Sequence, residues 1–234
     1  MNQSDIKAKI DELAPWWHYH KLPNGMEIQR DDAIWKEAKD YPENAWKRQE
    51  PFFTEDLKGK EVLDIGCNSG WYSMKLAQMG AKVTGIDIHQ DSPTFCDAID
   101  HIAQCNFLAD IVLTKEQRKN TNFIFGDFRD LPQDEQYDAI VFFGVYYHLT
   151  PHETAIPIIN GQLKKGGILY LESATEEKSR YLPKGHAGDN TNAFVPSLKY
   201  LENDLTNNGF EILGEVGRPA DLAGYRQFIK ARKL

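Results

Sequence analysis

The order of elements along the chain predicts an α/β domain: a mostly parallel seven-stranded sheet with a C-terminal antiparallel hairpin and an aromatic-rich N-terminal cap. Three observations carry this expectation. From residue 60 onward, short apolar runs alternate with helical stretches, the pattern of a parallel sheet covered by helices on both faces. The first of these runs empties into a glycine-bearing turn, Asp64-Ile65-Gly66-Cys67-Asn68-Ser69-Gly70. The last two runs follow one another with no helix between them, which suits an antiparallel hairpin.

Residues 4–14 set Ile6, Ile10 and Leu13 at helical spacing behind Ser4, a candidate N-cap. Residues 15–58 are dense in Trp, Tyr and His and are broken by turn signals at Pro23-Asn24-Gly25 and Tyr41-Pro42. Residues 1–58 therefore read as a cap and 59–234 as the ligand-binding domain. Residues 61–65 form the first strand, and a helix through Met74, Leu76, Ala77 and Met79 stops at Gly80. Strands follow at 81–87, 122–125, 138–143 and 167–172, with helices at 93–108 and from Pro151 to Leu163. Residues 173–195 read as an insertion, 196–207 as a helix, and 210–216 and 224–231 as the closing strands.

Composition narrows the function classes. With 41% hydrophobic and 26% charged residues the chain is ordinary for a soluble globular protein. No apolar run approaches the 18 residues of a membrane span, and the segment from Met1 to Asp5 has no signal-peptide core. Cys67, Cys96 and Cys105 form no CxxC, so reduced thiols and a cytoplasmic location are expected, with no metal site. A net charge of −8 argues for a small-molecule substrate over a phosphate backbone. Oligomeric state is left open.

In an open α/β sheet, ligands bind at the carboxyl ends of the strands where strand order reverses. Gly66 and Gly70 let the backbone approach a ligand closely, and Asn68 tolerates the left-handed conformation such a turn needs. Gly85-Ile86-Asp87 ends the second strand with a carboxylate able to accept hydrogen bonds from a ribose diol. Phe125-Gly126-Asp127-Phe128 ends the third with another acid. Asp64, Gly66, Cys67, Asn68, Gly70, Asp87, Ile88, Asp127, Phe128, Phe143 and Gly144 make up the expected cofactor-binding set.

The stretch Phe143-Gly144-Val145-Tyr146-Tyr147-His148-Leu149 resembles the Gly-Val-Leu-Tyr-His segment of the methyltransferases that include the bacterial tRNA wobble-uridine carboxymethyltransferase. Residues 59–67, 166–173, Arg180-Tyr181 and 192–197 are similar to further segments of that group, so the likeness spans roughly residues 58–217. It implies a Rossmann-like class I methyltransferase fold, with Asp64 to Gly70 as motif I and Asp127 at the adenine amino group. The group's carboxymethyltransferases hold a carboxylated S-adenosylmethionine with basic and tyrosyl groups. Tyr147 stands at their motif tyrosine, but their next basic position is Leu149 here. The resemblance therefore implies plain S-adenosylmethionine as cofactor before carboxy-S-adenosylmethionine.

His148 and Tyr147 are the candidate catalytic residues. His148 reads either as a general base, because imidazole titrates near neutrality, or as a side chain that orients its loop. An electron-rich Tyr147 ring suits a sulfonium cation. Trp17, His18, Tyr146, Arg180 and Tyr181 are the candidate substrate contacts, each with a packing alternative. His18 and His20 would share one face of an extended segment. Three functions remain: methyl transfer to a small molecule, a tRNA wobble-uridine (carboxy)methyltransferase with tRNA as partner, and a non-catalytic cofactor-binding protein.

Overall fold

The computed structural model describes residues 2–29, 40–88, 99–183, 191–221 and 224–234. Strands β3 (Glu61–Ile65), β4 (Lys82–Asp87), β5 (Thr121–Phe125), β6 (Tyr137–Phe143), β7 (Leu163–Thr175), β10 (Phe210–Asp221) and β11 (Gly224–Lys233) build one sheet. Their order is β10-β11-β7-β6-β3-β4-β5. The five strands from β5 to β7 run parallel, while β11 pairs antiparallel with both β7 and β10. This is the seven-stranded arrangement expected from the sequence. Because β3 passes to β4 on one side and is flanked by β6 on the other, a crevice opens at its carboxyl end.

Alternate residues of each strand enter different layers. Val62, Val83, Val141, Tyr170 and Phe228 face α3 (Trp71–Gln78), α4 (His101–Val112) and the cap residues Trp16, Trp46 and Phe53. Leu63, Ile140, Phe142, Leu169 and Ile229 face α6 (Ala155–Gln162) and α7 (Leu198–Asn207). Burial on both faces explains why β6 in particular reads as an apolar run.

The cap begins with α1 (Gln3–Glu12) and adds a hairpin, β1 (His20–Lys21) with β2 (Glu27–Ile28), across the predicted Pro23-Asn24-Gly25 turn. Asn2, not Ser4, caps α1: its side chain accepts the Asp5 amide while Asp5 accepts the Asn2 amide, a reciprocal box that Ser4 cannot make. Helix α2 (Glu43–Gln49) follows the Tyr41-Pro42 turn. The buried Lys230 ammonium of β11 holds Glu55 and the Phe52 carbonyl, tying the end of the cap to the sheet.

Several boundaries move. Residues 93–98 of the expected fourth-element helix lie outside the described residues, and α4 starts at an Asp100 cap. The helix expected from Pro151 opens as a 3-10 turn at 152–154 before α6. Helix α5 (Lys115–Lys119), capped by Thr114 and Gln117, was not expected because its five residues have no apolar periodicity. Strand β7 extends into the start of the expected insertion, which also holds β8 (Arg180–Tyr181) paired with β9 (Phe194–Val195). Among the described residues no helix is long and apolar enough to cross a membrane.

Candidate cofactor and transfer site

The turn after β3 is left-handed at Gly66, Asn68 and Gly70. A Cβ at Gly66 would run into the Val145 side chain, so this position is closed to other residues by space as well as by backbone. Beneath the turn, Asp64 is buried and accepts from Ser73 Oγ at 2.5 Å. Burial pushes its carboxyl up to about 7, the Ser73 bond only partly opposing it.

Asp87 fixes the turn from the end of β4. Its Oδ2 accepts the Asn68 amide at 2.6 Å and its Oδ1 the Ile88 amide at 2.7 Å. The Cys105 thiol of α4 donates to the Asn68 carbonyl at 2.9 Å and lies 3.9 Å from Cys67 Sγ. The Cys105 contact and burial push the Cys67 thiol up, and burial does the same to Cys105, so both stay protonated. From the cap, His20 Nε2 meets Ser69 Oγ at 2.8 Å.

Ile88 and Phe125 stand at the rim, 51% and 60% exposed, at the carboxyl ends of the register-paired β4 and β5. Phe125 was not in the expected set, although the expected strand ends on it; its exposure is what the sequence does not carry. Asp127 caps the 3-10 turn at 128–130 and makes a bidentate pair with Arg129, which holds its carboxyl below the usual range. Phe128 turns its ring into the core against Phe142.

The turn after β6 sorts its aromatics. Gly144 is left-handed and its amide donates to the Glu172 carbonyl at 2.9 Å. Tyr146 is fully buried, in keeping with its packing alternative, and its hydroxyl donates to Asp204 of α7 at 2.7 Å. Residues 146–148 form a 3-10 turn, in which neighbours point about 120° apart. Tyr147 therefore faces the other way, and its hydroxyl accepts from Arg226 Nη1 at 3.3 Å. The Arg226 guanidinium also forks onto the Glu172 carboxylate, with Nη2 2.6 Å from Oε2. Burial opposes the charge on Arg226, but Glu172 and Tyr147 outweigh it and keep the guanidinium protonated.

His148 Nδ1 lies 2.8 Å from Thr191 Oγ1, and the Ala193 amide donates to the Tyr147 carbonyl at 2.9 Å. The far end of the insertion thus holds the turn. Phe143 packs edge-on against Tyr72 and Phe228. His18 is buried beside His20 and Tyr41, whereas Trp17 is half-buried. Burial and the Glu172 charge raise the Tyr41 hydroxyl to about 12. Tyr41, Arg48, Gln49, Glu172 and Arg226 line a small cavity between α2 and the ends of β7 and β11. Arg180 pairs with Glu176, and Tyr181 donates to Glu153 at 3.2 Å and packs on His152 and Phe194. The structure groups neither of them with Tyr147 by side-chain contact.

A family model described as a methyltransferase domain matches residues 35–215. The chain belongs to the methyltransferase-domain family. It is 27% identical over 219 residues to a tRNA U34 carboxymethyltransferase of Alcanivorax borkumensis, covering 89% of this chain and 60% of that one. The chain therefore spans less than two thirds of the length of the curated relatives it matches. Among solved structures, the N-terminal domain of EvdMO1, crystallised with S-adenosylhomocysteine and D-fucose, superposes with a TM-score of 0.68 at 15% identity over 100% of this chain and 97% of that one. The [4+2]-cyclase SpnF superposes at 0.63 and 19% identity over 98% and 92%. Both likenesses speak to the fold alone, and a cyclase among them shows that this fold does not fix the reaction.

Within this methyltransferase-domain chain, sequence reasoning missed Arg226 and Glu172. They are 54 positions apart, and although Glu172 lies in the family-like segment 166–173, nothing local points from it to Arg226. His20 with Ser69 and Thr191 with His148 are likewise joined across 49 and 43 positions, a pairing no local pattern gives.

Proposed function

We propose that the chain transfers a methyl group from S-adenosylmethionine to a small-molecule acceptor. The observation that carries this reading is the glycine turn locked to Asp87 at the point where strand order reverses. The site fits the cofactor in three respects. The left-handed turn at Gly66, Asn68 and Gly70 sets backbone at the carboxyl end of β3, the Asp87 carboxylate suits a ribose diol, and exposed Ile88 and Phe125 offer apolar surface to a flat base. When bound, the cofactor supplies an electrophilic methyl on a sulfonium, whose carbon–sulfur electron pair stays with sulfur as the acceptor's lone pair takes the methyl.

The chain's own residues position and protect. Tyr147 presents an electron-rich ring already approached by a cation, Arg226, at 5.3 Å. His148, oriented through Thr191, takes the acceptor's proton; its other reading, loop orientation, is served by the same bond. His148→Ala should lower kcat by roughly 10²–10⁴ with cofactor affinity kept. An unchanged rate removes histidine as base.

A second reading, a tRNA wobble-uridine carboxymethyltransferase, is favoured by one observation: β11 supplies beside Tyr147 the cation that Leu149 does not. The relatives' names point the same way. Against it, Glu172 already neutralises Arg226 and the chain's net charge is −8. Calorimetric titration with plain and carboxylated cofactor decides. Tighter binding of the plain form supports the first reading; preference for the carboxylated form, with salt-sensitive tRNA association, supports the second.

A further inference from the structure

We propose that His20 is a positioning residue for the cofactor turn, setting the backbone of residues 68–70 from the N-terminal cap through Ser69. The inference rests on the cofactor reading above. Ser69 lies between left-handed Asn68 and Gly70, the N-cap of α3, so its side chain is a handle on the backbone facing the crevice. Ser69 is 0% and His20 3% exposed, so their 2.8 Å bond has no competing water. The other braces, Asp87 and Cys105, come from within the α/β layers. His20 is the brace that arrives from the cap.

Helix α4 keeps the cap and the turn in register. Gln104, fully buried, donates to the carbonyls of Leu13 at 2.7 Å and Pro15 at 2.9 Å, while its neighbour Cys105 donates to Asn68. Two consecutive residues of one helix thus hold the cap just before His20 and the turn at the residue before Ser69. The His20 ring is further fixed edge-on by Trp16 at 6.0 Å and by the pairing of His20 with Ile28. Burial lowers the imidazole to about 3, so the brace is uncharged. An uncharged brace can sit beside the site of a sulfonium-bearing ligand without repelling it.

The test is calorimetric titration of S-adenosylmethionine into wild type, His20→Ala, His20→Gln, Ser69→Ala and the double variant His20→Ala/Ser69→Ala. Gln carries its amide nitrogen where Nε2 stands, so it rescues a hydrogen bond but not an aromatic contact. Hydrogen exchange at the amides of residues 66–70, without ligand, reads the clasp independently. His20→Ala should weaken binding about 5–10-fold, the size of one buried hydrogen bond, and His20→Gln should stay within about 2-fold of wild type. The double variant should bind no more weakly than the weaker single, and exchange at 68–70 should quicken in His20→Ala. Should His20→Ala fail to fold, Ser69→Ala and His20→Gln carry the comparison. Wild-type affinity in His20→Ala, additive losses in the double variant, or a Gln variant as weak as Ala would overturn the proposal. If wild type binds no cofactor, the functional reading fails first, and the exchange data then report whether a clasp without a ligand role exists.

Discussion

Two turns leave adjacent strands of the sheet and touch where Gly66 meets Val145, yet they are held by opposite means. The turn after β3 is fixed by amides on Asp87, a thiol on a carbonyl and a neutral imidazole, over an Asp64 that burial keeps protonated up to about pH 7. The turn after β6 leans on a buried ion pair, Arg226 with Glu172, to which Tyr147 is bonded. The first arrangement is a rigid cradle with one working carboxylate. The second concentrates charge beside Tyr147, and in the proposed reaction such a fixed polar environment costs no reorganisation.

The largest effect should come from breaking the charged side. Arg226→Met leaves the Glu172 carboxylate buried without its partner and should cost about 3–5 kcal/mol in denaturant melts. Arg226→Met/Glu172→Leu should recover most of that stability while turnover stays low. If the double variant is as active as wild type, the pair is a structural brace and the contrast between the turns collapses.

The next effect tests the neutral side by pH. The folded Asp64 keeps its proton to about pH 7 and the unfolded carboxyl loses it near its ordinary value, so the group's contribution is lost as pH rises from about 4 to about 7. His20 acts with the opposite sign: the unfolded imidazole gains a proton below its ordinary value that the folded one refuses down to about 3, so stability falls as pH drops below about 6.5. Asp64→Asn should flatten the first slope, worth roughly 2–4 kcal/mol at most, and thermal melts across pH 4–8 read it. A slope unchanged in Asp64→Asn would mean that Asp64 is ionised in the fold.

A smaller effect probes the contact between the turns. Gly66→Ala should lose about 1–3 kcal/mol through its clash with Val145, and Val145→Ala in the same background should return part of it, leaving the cost of a left-handed alanine. Full rescue would mean that space alone, not backbone, selects glycine there.

These contrasts also mark what sequence could reveal. The centre of the sheet was legible because β3 and β6 are buried on both faces and read as apolar runs, and the cradle was legible because glycine spacing and strand-end acids are local. The charged side was not. Arg226 lies in a closing hairpin, Glu172 on another strand, and only tertiary pairing makes them one group. Which of Tyr146 and Tyr147 faces the crevice depends on the pitch of a three-residue turn that no periodicity announces. Ser4 looked like the cap of α1 until Asn2 and Asp5 were seen to bond reciprocally.

The most direct test of the account is calorimetric titration of S-adenosylmethionine into wild type and Asp87→Asn. Wild type should bind saturably and one-to-one, and the variant should lose at least about 10-fold, since the proposed diol contact and the Asn68 amide both rely on that carboxylate. Equal affinity in the two proteins, or no binding by wild type, would contradict it.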